Sequence, residues 1–295
     1  MAQITLDELN RMDRGAFVGA LGEVFEHAPW VAETAFGARP FASLNALYDA
    51  MTGAVRKADA SRQMALIKAH PDLAGKAARA GAITDDSKLE QSSAGLDRLS
   101  DEEFATFHRL NDAYHTKFDI PFIVAVRRHG KDSILRQFER RLKNDSAAEH
   151  EAALAEIFRI VALRLDLRVV APDRLKVHGR LSTHVLDTHR GSPAPGIAVE
   201  LLEVAASGSS RVVTRAVTNA DGRTDRPIMA DKPIPIARYE FRFDVGDYFA
   251  RQGVPVSDPP FLGVIPIRFA VAEPEGHYHV PIIVTPWSYS TYRGS

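Results

Sequence analysis

The sequence has no cysteine, almost no net charge and no long apolar run. The absence of cysteine excludes disulfides, zinc–thiolate sites and cysteine nucleophiles, and it favours a protein of the reducing cytoplasm. Because 37 lysines and arginines face 38 aspartates and glutamates, the bulk charge gives no reason to expect binding to nucleic acid or to an anionic membrane. No apolar stretch approaches the roughly 20 residues of a transmembrane helix, and the N-terminal residues lack the pattern of a secretory signal.

The spacing of apolar residues changes near residue 170, which indicates two domains. Before this point Leu154, Ile157 and Val161 recur every three or four residues, as on one face of a helix. After it, residues 238–243 alternate between charged and aromatic side chains, as in a half-buried strand. Pro172 lies between the two patterns and disfavours helical geometry in the residue before it. We predict an all-α helical domain over residues 1–170, a linker over residues 171–177 and an all-β sandwich over residues 178–295.

Capping signals and apolar periodicity place several helices in the first domain. Residues 5–8 and 100–103 each have the spacing of a capping box, which predicts a helix start at both places. Residues 121–126 form a short apolar run after a proline, and we expect a buried extended segment that can present backbone N–H groups to a ligand. Further helices are predicted at about 13–26, 43–59, 61–69 and 147–168.

His70 lies at a predicted helix end, because Pro71 and Asp72 follow it and indicate a turn and the cap of a next helix. The negative end of the helix dipole favours a protonated imidazole there. One interpretation is a structural histidine bonded to a helix carbonyl, and the other is an acid–base group. The spacing alone leaves both open.

Three further polar residues and a buried arginine are candidates for a ligand site. Ser87 and Glu90 have the spacing of a capping box, so helix capping is the alternative to a ligand role for both, whereas Gln91 has no evident structural role. Arg164 falls on the apolar stripe of the last predicted helix. A buried guanidinium needs an anion, so Arg164 pairs either with an internal carboxylate or with the carboxylate of a ligand.

The second domain carries a group of histidines and one arginine. His184 opens its first strands, and Arg223 follows a tight hairpin turn at residues 219–222. His277 and His279 lie on the same face of one predicted strand, which is a common spacing for metal ligands. Alternatively, His184, Arg223 and His279 form a cofactor-free cluster that polarises water and a carbonyl group. The spacing does not decide between these interpretations.

The first domain resembles the 2-oxo-4-hydroxy-4-carboxy-5-ureidoimidazoline (OHCU) decarboxylases, which are all-helical enzymes of urate breakdown. The matching residues are 69–76 (AHPDLAGK), Ser87, Glu90, Gln91, 94–97 (AGLD), 111–114 (NDAY), 121–126 (PFIVAV) and Arg164. The resemblance implies that His70 is the acid–base group and that Glu90 orients the substrate. It also implies substrate contacts from Pro71, Ser87, Gln91, Ile123, Val124, Ala125 and Arg164. Asp119 and Arg128 stand where many members have glycine.

The second domain resembles the 5-hydroxyisourate hydrolases, which have a transthyretin-like β-sandwich. The matching blocks are residues 181–187 (LSTHVLD), 191–194 (GSPA), 221–223 (DGR), 278–281 (YHVP) and 289–295 (YSTYRGS). The resemblance implies that His184 and His279 activate a water molecule and that Arg223 stabilises the oxyanion. Ser295 counts among the catalytic residues, while Tyr292 and Arg293 contact the substrate at a subunit interface.

Together the halves are similar to bifunctional allantoin synthases, which implies hydrolysis of 5-hydroxyisourate followed by decarboxylation of OHCU to (S)-allantoin. The resemblance implies a homo-oligomer, dimeric or tetrameric, that needs neither a cofactor nor a metal. One alternative is a transthyretin-like binding protein whose helical domain serves assembly. The other is a metal-dependent cyclic amidohydrolase that uses His277 and His279.

Overall fold

The structure is a computed structural model that describes residues 3–75 and 83–294. The chain divides into two compact units. The first comprises Met1–Arg127 and Ser133–Val177, and the second comprises Arg128–Asp132 and His178–Ser295. Within the described ranges, no helix is long and apolar enough to cross a membrane.

The first unit is helical, as predicted. Its described helices are α1 (Leu6–Arg11), α2 (Arg14–Leu21), α3 (Pro29–Ala35), α4 (Leu44–Lys57), α5 (Ala60–Lys68), α6 (Asp85–Ser93), α7 (Asp101–Phe118), α8 (Lys131–Arg141) and α9 (Ser146–Arg168). Two short strands, β1 (Ile4–Thr5) and β2 (Val169–Val170), pair in parallel. The helix that Asp72 is predicted to cap falls outside the described residues.

Side-chain caps determine where most of these helices begin. Thr5 and Ser100 form the two predicted capping boxes at α1 and α7. Helix capping, the alternative to a ligand role for Ser87 and Glu90, is wrong. Thr84 caps α6 instead, so Ser87 lies inside the first turn and its hydroxyl group is available for other contacts.

Helix α9 forms the centre of the first unit and packs against α4 and α5. Its residues are buried on several sides, with Ile157 and Leu165 inaccessible to solvent. Residues 121–126 are also buried, and residues 121–125 form neither helix nor strand, as expected for this segment. The chain therefore brings an irregular backbone segment into an otherwise helical core.

Residues 171–177, predicted to be a linker, group with the first unit. Leu175 and Val177 are buried in its core. The carboxylate of Asp173 accepts hydrogen bonds from the backbone N–H groups of Leu44 and Asn45, at 2.8 and 3.1 Å. This segment is thus held at the N-terminus of α4 by apolar burial and by a charge-assisted contact.

The second unit is a β-sandwich of the predicted class. Its strands are β3 (Gly179–Ser182), β4 (Val185–Asp187), β5 (Ser192–Pro193), β6 (Ala198–Val204), β7 (Ser210–Val217), β8 (Met229–Lys232), β9 (Ala237–Asp244), β10 (Val264–Val271), β11 (His277–His279), β12 (Ile282–Val284) and β13 (Tyr289–Thr291), with one helix, α10 (Val245–Arg251). One sheet has the order β10-β9-β6-β7, and the others have the orders β11-β3-β8 and β13-β12-β4-β5.

The strand register positions the polar residues of this unit. Strand β11 runs parallel to β3, and β12 runs parallel to β4, so the stretches 179–187 and 277–284 lie side by side. His184 falls in the short break between β3 and β4, where its carbonyl accepts the N–H of Ile282 at 2.8 Å. In this register His279 is paired with Ser182.

Gly222 permits a close backbone approach beside His184. Its φ is +69°, and a Cβ atom at this position would lie 2.3 Å from the carbonyl oxygen of Val185. The glycine carbonyl accepts the N–H of Val185 at 2.8 Å, so the two backbones cannot separate without losing this bond. Only glycine satisfies both the left-handed conformation and the contact.

We expect Gly222→Ala to destabilise the second unit more than Gly191→Ala. Gly191 has a similar φ of +67°, but a Cβ atom there meets nothing within 4 Å. In both variants the left-handed conformation should lower the free energy of unfolding by about 1 kcal/mol. In Gly222→Ala the clash should lower it by roughly 2 kcal/mol more. Urea unfolding of both variants measures the difference. Equal losses would show that the Val185 contact relaxes at no cost.

Candidate active sites

One cleft in the first unit gathers most of the residues predicted for the first site. It is lined by His70, Pro71, Ser87, Glu90, Gln91, Ile123, Val124 and Arg164, together with apolar side chains that include Phe122 and Ile160. These residues come from the end of α5, from α6, from the 121–126 segment and from α9. Polar groups therefore face one another across a partly apolar cavity, as in many ligand sites.

His70 is held by the last turn of α5. Its Nδ1 lies 3.0 Å from the carbonyl oxygen of Leu66, and since a carbonyl only accepts, Nδ1 carries the proton. Burial lowers the pKa of His70 to about 4, although the Leu66 carbonyl and the charge of Glu26 act in the opposite direction. The imidazolium expected from the helix dipole is therefore wrong. The carbonyl bond predicted by the structural interpretation is present, and it leaves Nε2 as the lone-pair nitrogen.

Arg164 pairs with internal carboxylates. Its Nε and Nη2 donate to the two carboxylate oxygens of Glu90 at 2.8 and 2.9 Å, and Nη1 donates to Glu26 at 2.9 Å. The remaining N–H groups reach the Val24 carbonyl at 3.3 Å and the Ser87 hydroxyl at 3.4 Å. A guanidinium has five N–H groups, so protein acceptors occupy all of them. A ligand carboxylate would have to displace one of these partners.

Glu26 is a buried residue that the sequence patterns did not reveal. It lies between α2 and α3 and is 1% exposed. Besides Arg164, it accepts hydrogen bonds from the hydroxyl groups of Thr84 at 2.6 Å and Ser87 at 3.1 Å. Burial opposes ionisation, but Arg164 and the Thr84 hydrogen bond hold the pKa of Glu26 below its ordinary value. A single glutamate inside the apolar run VFEHAPW was the available signal.

The loop after His70 is fastened by amide side chains. The Oε1 atom of Gln91 accepts the N–H of Ala74 at 2.9 Å, and its Nε2 donates to the Asp72 carbonyl at 3.4 Å. Asn111 donates to the Leu73 carbonyl at 2.8 Å. Gln91 therefore has the structural role that its sequence context did not indicate.

Side chains of α8 and α9 bind the backbone of the 121–126 segment. Arg141 donates to the carbonyl of Ile123, and the N–H of Ala125 donates to Glu156 at 2.9 Å. The N–H of Ala125 is thus already used inside the protein. In the described part of the chain no acceptor takes the N–H of Ile123 or Val124, and both residues line the cleft.

In the second unit, His184, Arg223 and His279 lie close together. His184 and Arg223 form an isolated antiparallel bridge, and Nδ1 of His279 lies 3.0 Å from the Ser182 hydroxyl. The pKa of His184 is lowered by burial and by the charge of Arg223. Burial, Arg223 and His184 likewise lower the pKa of His279. The Nε2 atom of His184 is buried and has no hydrogen-bond partner among the described residues. Because buried polar atoms normally have a partner, this is expected where a ligand supplies it.

The C-terminal segment passes directly over His279. The N–H of Gly294 donates to the His279 carbonyl at 2.8 Å, and a Cβ atom on Gly294 would lie 2.7 Å from Cδ2 of the imidazole. The guanidinium of Arg293 lies 4.7 Å from the centre of the Tyr278 ring. Tyr292 is exposed, and Ser295 lies outside the described residues.

His277 is exposed on the same strand as His279. Among residues 3–75 and 83–294, no group of three or more His, Cys, Asp or Glu side chains is arranged to hold a metal ion. The two imidazoles of this strand therefore do not gain a third ligand from that part of the chain.

Comparison with known proteins identifies relatives for both units. Residues 10–166 match the family model described as OHCU decarboxylase, and residues 181–294 match the HIUase/transthyretin family. The 2-oxo-4-hydroxy-4-carboxy-5-ureidoimidazoline decarboxylase of Haloferax volcanii is 43% identical over 165 residues, covering 56% of this chain and 96% of that protein. The 5-hydroxyisourate hydrolase of Deinococcus radiodurans is 54% identical over 119 residues, covering 40% of this chain and 98% of that protein.

One solved structure spans both units. The crystal structure of an (S)-allantoin synthase aligns with a TM-score of 0.51 and 32% identity, covering 99% of this chain and 100% of that one. The order of a helical unit followed by a sandwich unit is therefore shared with that protein.

The buried His70 predicts a loss of stability in acid. Its folded pKa of about 4 lies below the ordinary 6.5, so the unfolded chain takes up a proton first as the pH falls. The contribution of His70 to the free energy of unfolding is fully present above about pH 6.5. It falls as the pH is lowered toward 4, and about 2 kcal/mol of it is lost at pH 5. His70→Asn retains a donor for the Leu66 carbonyl but does not titrate. Urea unfolding at pH 7.5 and 5.0 should show that the free energy of unfolding decreases less in the variant than in the parent protein. Equal decreases would contradict the lowered pKa.

Proposed function

The chain belongs to the OHCU decarboxylase family over residues 10–166 and to the HIUase/transthyretin family over residues 181–294, and we propose that it performs two consecutive reactions of urate catabolism. The second unit hydrolyses 5-hydroxyisourate to OHCU. The first unit decarboxylates OHCU to (S)-allantoin. Neither step calls for a cofactor, because the carbonyl and imine groups of the substrates accept the electrons that each reaction displaces.

The observation that carries the proposal is the cleft of the first unit. Residues from four separated stretches of the chain converge there, and they are those that the family resemblance assigns to substrate. The hydrolase half is supported by the relatives named 5-hydroxyisourate hydrolase and by the cluster of His184, Arg223 and His279. That cluster argues against a carrier, which has no need of an unpaired buried imidazole beside an arginine.

For hydrolysis, a neutral imidazole is the useful form. The lowered pKa values of His184 and His279 keep a lone pair available to take a proton from water as its oxygen attacks the ring amide carbonyl. The positive charge of Arg223 stabilises the oxyanion that forms. The carbon–nitrogen bond then breaks, the ring nitrogen receives the proton, and the product leaves as a carboxylate. We assign Ser295, Tyr292 and Arg293 to the walls of this pocket.

For decarboxylation, His70 acts first as a base. The carbon that loses carbon dioxide also carries the hydroxyl group, and the electron pair enters the neighbouring carbon–nitrogen double bond, whose nitrogen takes a proton from solvent. Nε2 of the neutral His70 accepts the hydroxyl proton of the resulting enol and returns it to the adjacent ring carbon. Delivery from one side of the cleft makes a single enantiomer.

The other residues of the first site bind or position the substrate. Glu90 and Ser87 present polar atoms to the substrate, and the free N–H groups of Ile123 and Val124 bind its carbonyl oxygens. Arg164 acts through Glu90 and Ser87, because its own N–H groups are occupied. A cation that held the leaving carboxylate would also stabilise the ground state, so the absence of such a contact favours the reaction.

The proposal includes a homo-oligomer, dimeric or tetrameric, in the cytoplasm. Trp287 and Tyr289 are exposed at and beside β13, an edge strand of its sheet, together with Tyr292. Large exposed aromatic side chains are typical of protein interfaces. Subunit association next to the C-terminal segment would complete the hydrolase pocket.

The proposal is tested by generating 5-hydroxyisourate in situ from urate and urate oxidase. We expect the purified protein, with a chelator present, to accelerate decay of the ultraviolet signal and to produce a circular dichroism signal of (S)-allantoin. Fast decay followed by slow, racemic allantoin formation would refute the decarboxylase assignment. Activity abolished by the chelator would instead support the metal-dependent alternative.

Single substitutions should separate the two reactions. We expect His70→Ala to reduce decarboxylation at least 100-fold while 5-hydroxyisourate is consumed at the normal rate. His279→Ala should slow hydrolysis by a similar factor and leave decarboxylation of supplied OHCU unchanged. His277→Ala is the matched control, because its exposed imidazole lies on the same strand. Loss of both activities in a folded single variant would contradict two independent sites.

A further inference from the structure

The described side chains that line the cleft of the first unit carry, together with their ion-pair partners, more negative than positive charge. Arg164 is the one cationic side chain among its described lining residues, and the carboxylates of Glu90 and Glu26 both bind it. Asp86, at 3.8 Å from the Arg164 Nε, forms its own ion pair with Arg168. His70 is neutral at physiological pH because burial lowers its pKa. Among the described residues that line the cleft or pair directly with its lining, the carboxylates of Glu26 and Glu90 exceed the guanidinium of Arg164 by one negative charge.

Glu26 supplies the carboxylate that produces this imbalance, and it does so from behind the cleft. It is not among the lining residues, yet its Oε1 accepts the Ser87 hydroxyl and its Oε2 accepts Arg164. Both of those donors do line the cleft. The side chain therefore reaches the substrate only through two residues that it holds in place.

We propose that Glu26 is a positioning residue of the decarboxylase, which orients Arg164 and Ser87 and whose charge makes the cleft disfavour the anionic substrate relative to the neutral product. This inference rests on the proposed function, since it requires a substrate with a carboxylate and a product without one. Apart from the carboxylate and the hydroxyl group, substrate and product share the ring and the ureido group. The buried carboxylate of Glu26 thus leaves the binding of these shared groups unaffected but opposes the carboxylate of the substrate.

The consequence for catalysis follows from where the charge goes. Loss of carbon dioxide moves negative charge from the carboxylate into the ring, where a proton neutralises it. An environment that raises the free energy of the bound carboxylate, and leaves the neutral product unaffected, lowers the barrier without hindering product release. Saturation of the Arg164 N–H groups by Glu26 and Glu90 prevents the guanidinium from cancelling this effect.

The test compares Glu26→Gln with Glu23→Gln in the full-length protein. Glutamine has the size of glutamate and keeps an oxygen for Arg164 and an N–H for the hydroxyl groups, so charge is the main change. Glu23 is exposed three residues away and controls for the loss of one surface charge. We expect Glu26→Gln to lower KM for OHCU roughly fivefold and to lower kcat, while the inhibition constant of (S)-allantoin stays unchanged. Glu23→Gln should alter none of the three.

A structural role alone would give a different result. If Glu26 only supported the fold, KM and the allantoin inhibition constant would rise together in Glu26→Gln, and that outcome would overturn the proposal. Glu26→Asp keeps the charge but shortens the reach, so it should lower kcat at least tenfold with KM for OHCU within twofold of the parent. An unchanged kcat in a folded Glu26→Asp variant would also overturn the proposal. If Glu26→Gln does not fold, the result for Glu26→Asp decides. Wild-type protein without decarboxylase activity would refute the proposed function instead, before any variant is compared.

Discussion

The guanidinium of Arg164, enclosed by Glu26 and Glu90, is the interaction on which the first site depends. A buried cation without partners is strongly destabilising, and removal of either carboxylate leaves N–H groups of Arg164 without an acceptor. The three residues come from α9, from α6 and from the turn between α2 and α3. Their mutual requirement fixes α6 against α9, and it thereby places Ser87 and Gln91 at the cleft. The arrangement of side chains at the cleft is thus a consequence of how the fold neutralises one arginine.

The second site is built by a different constraint, the register of parallel strands. Because β3 and β4 run beside β11 and β12, the break between β3 and β4 brings His184 close to His279 of β11. Glycine then permits the close approaches, at Gly222 beside Val185 and at Gly294 over His279. No ion network is required, because backbone hydrogen bonds already hold the imidazoles at a defined separation.

The two sites share one electrostatic feature. Burial lowers the pKa of His70 in the first unit and of His184 in the second, which favours the neutral imidazole that the proposed roles as bases require. The reactions are also complementary, because hydrolysis creates the carboxylate that decarboxylation removes. The buried charge that we propose for Glu26 suits the second step, in which an anion enters and a neutral molecule leaves.

Local patterns in the sequence determined the helical and strand halves, the capping boxes at Thr5 and Ser100, and the buried segment at 121–126, because each depends on residues near one another in the chain. Family resemblance supplied the candidate residues but not their partners. The Ser87–Glu90 spacing does not distinguish a capping box from neighbours on one helix face, because three residues separate both. Local patterns do not reveal the partners of Glu26, because these lie 58 and 138 residues away. Only the tertiary structure decided that protein acceptors occupy every N–H group of Arg164 and that Gln91 holds a loop. The reason is that the hydrogen-bonding groups a residue has left for a ligand depend on which distant groups the fold brings to it.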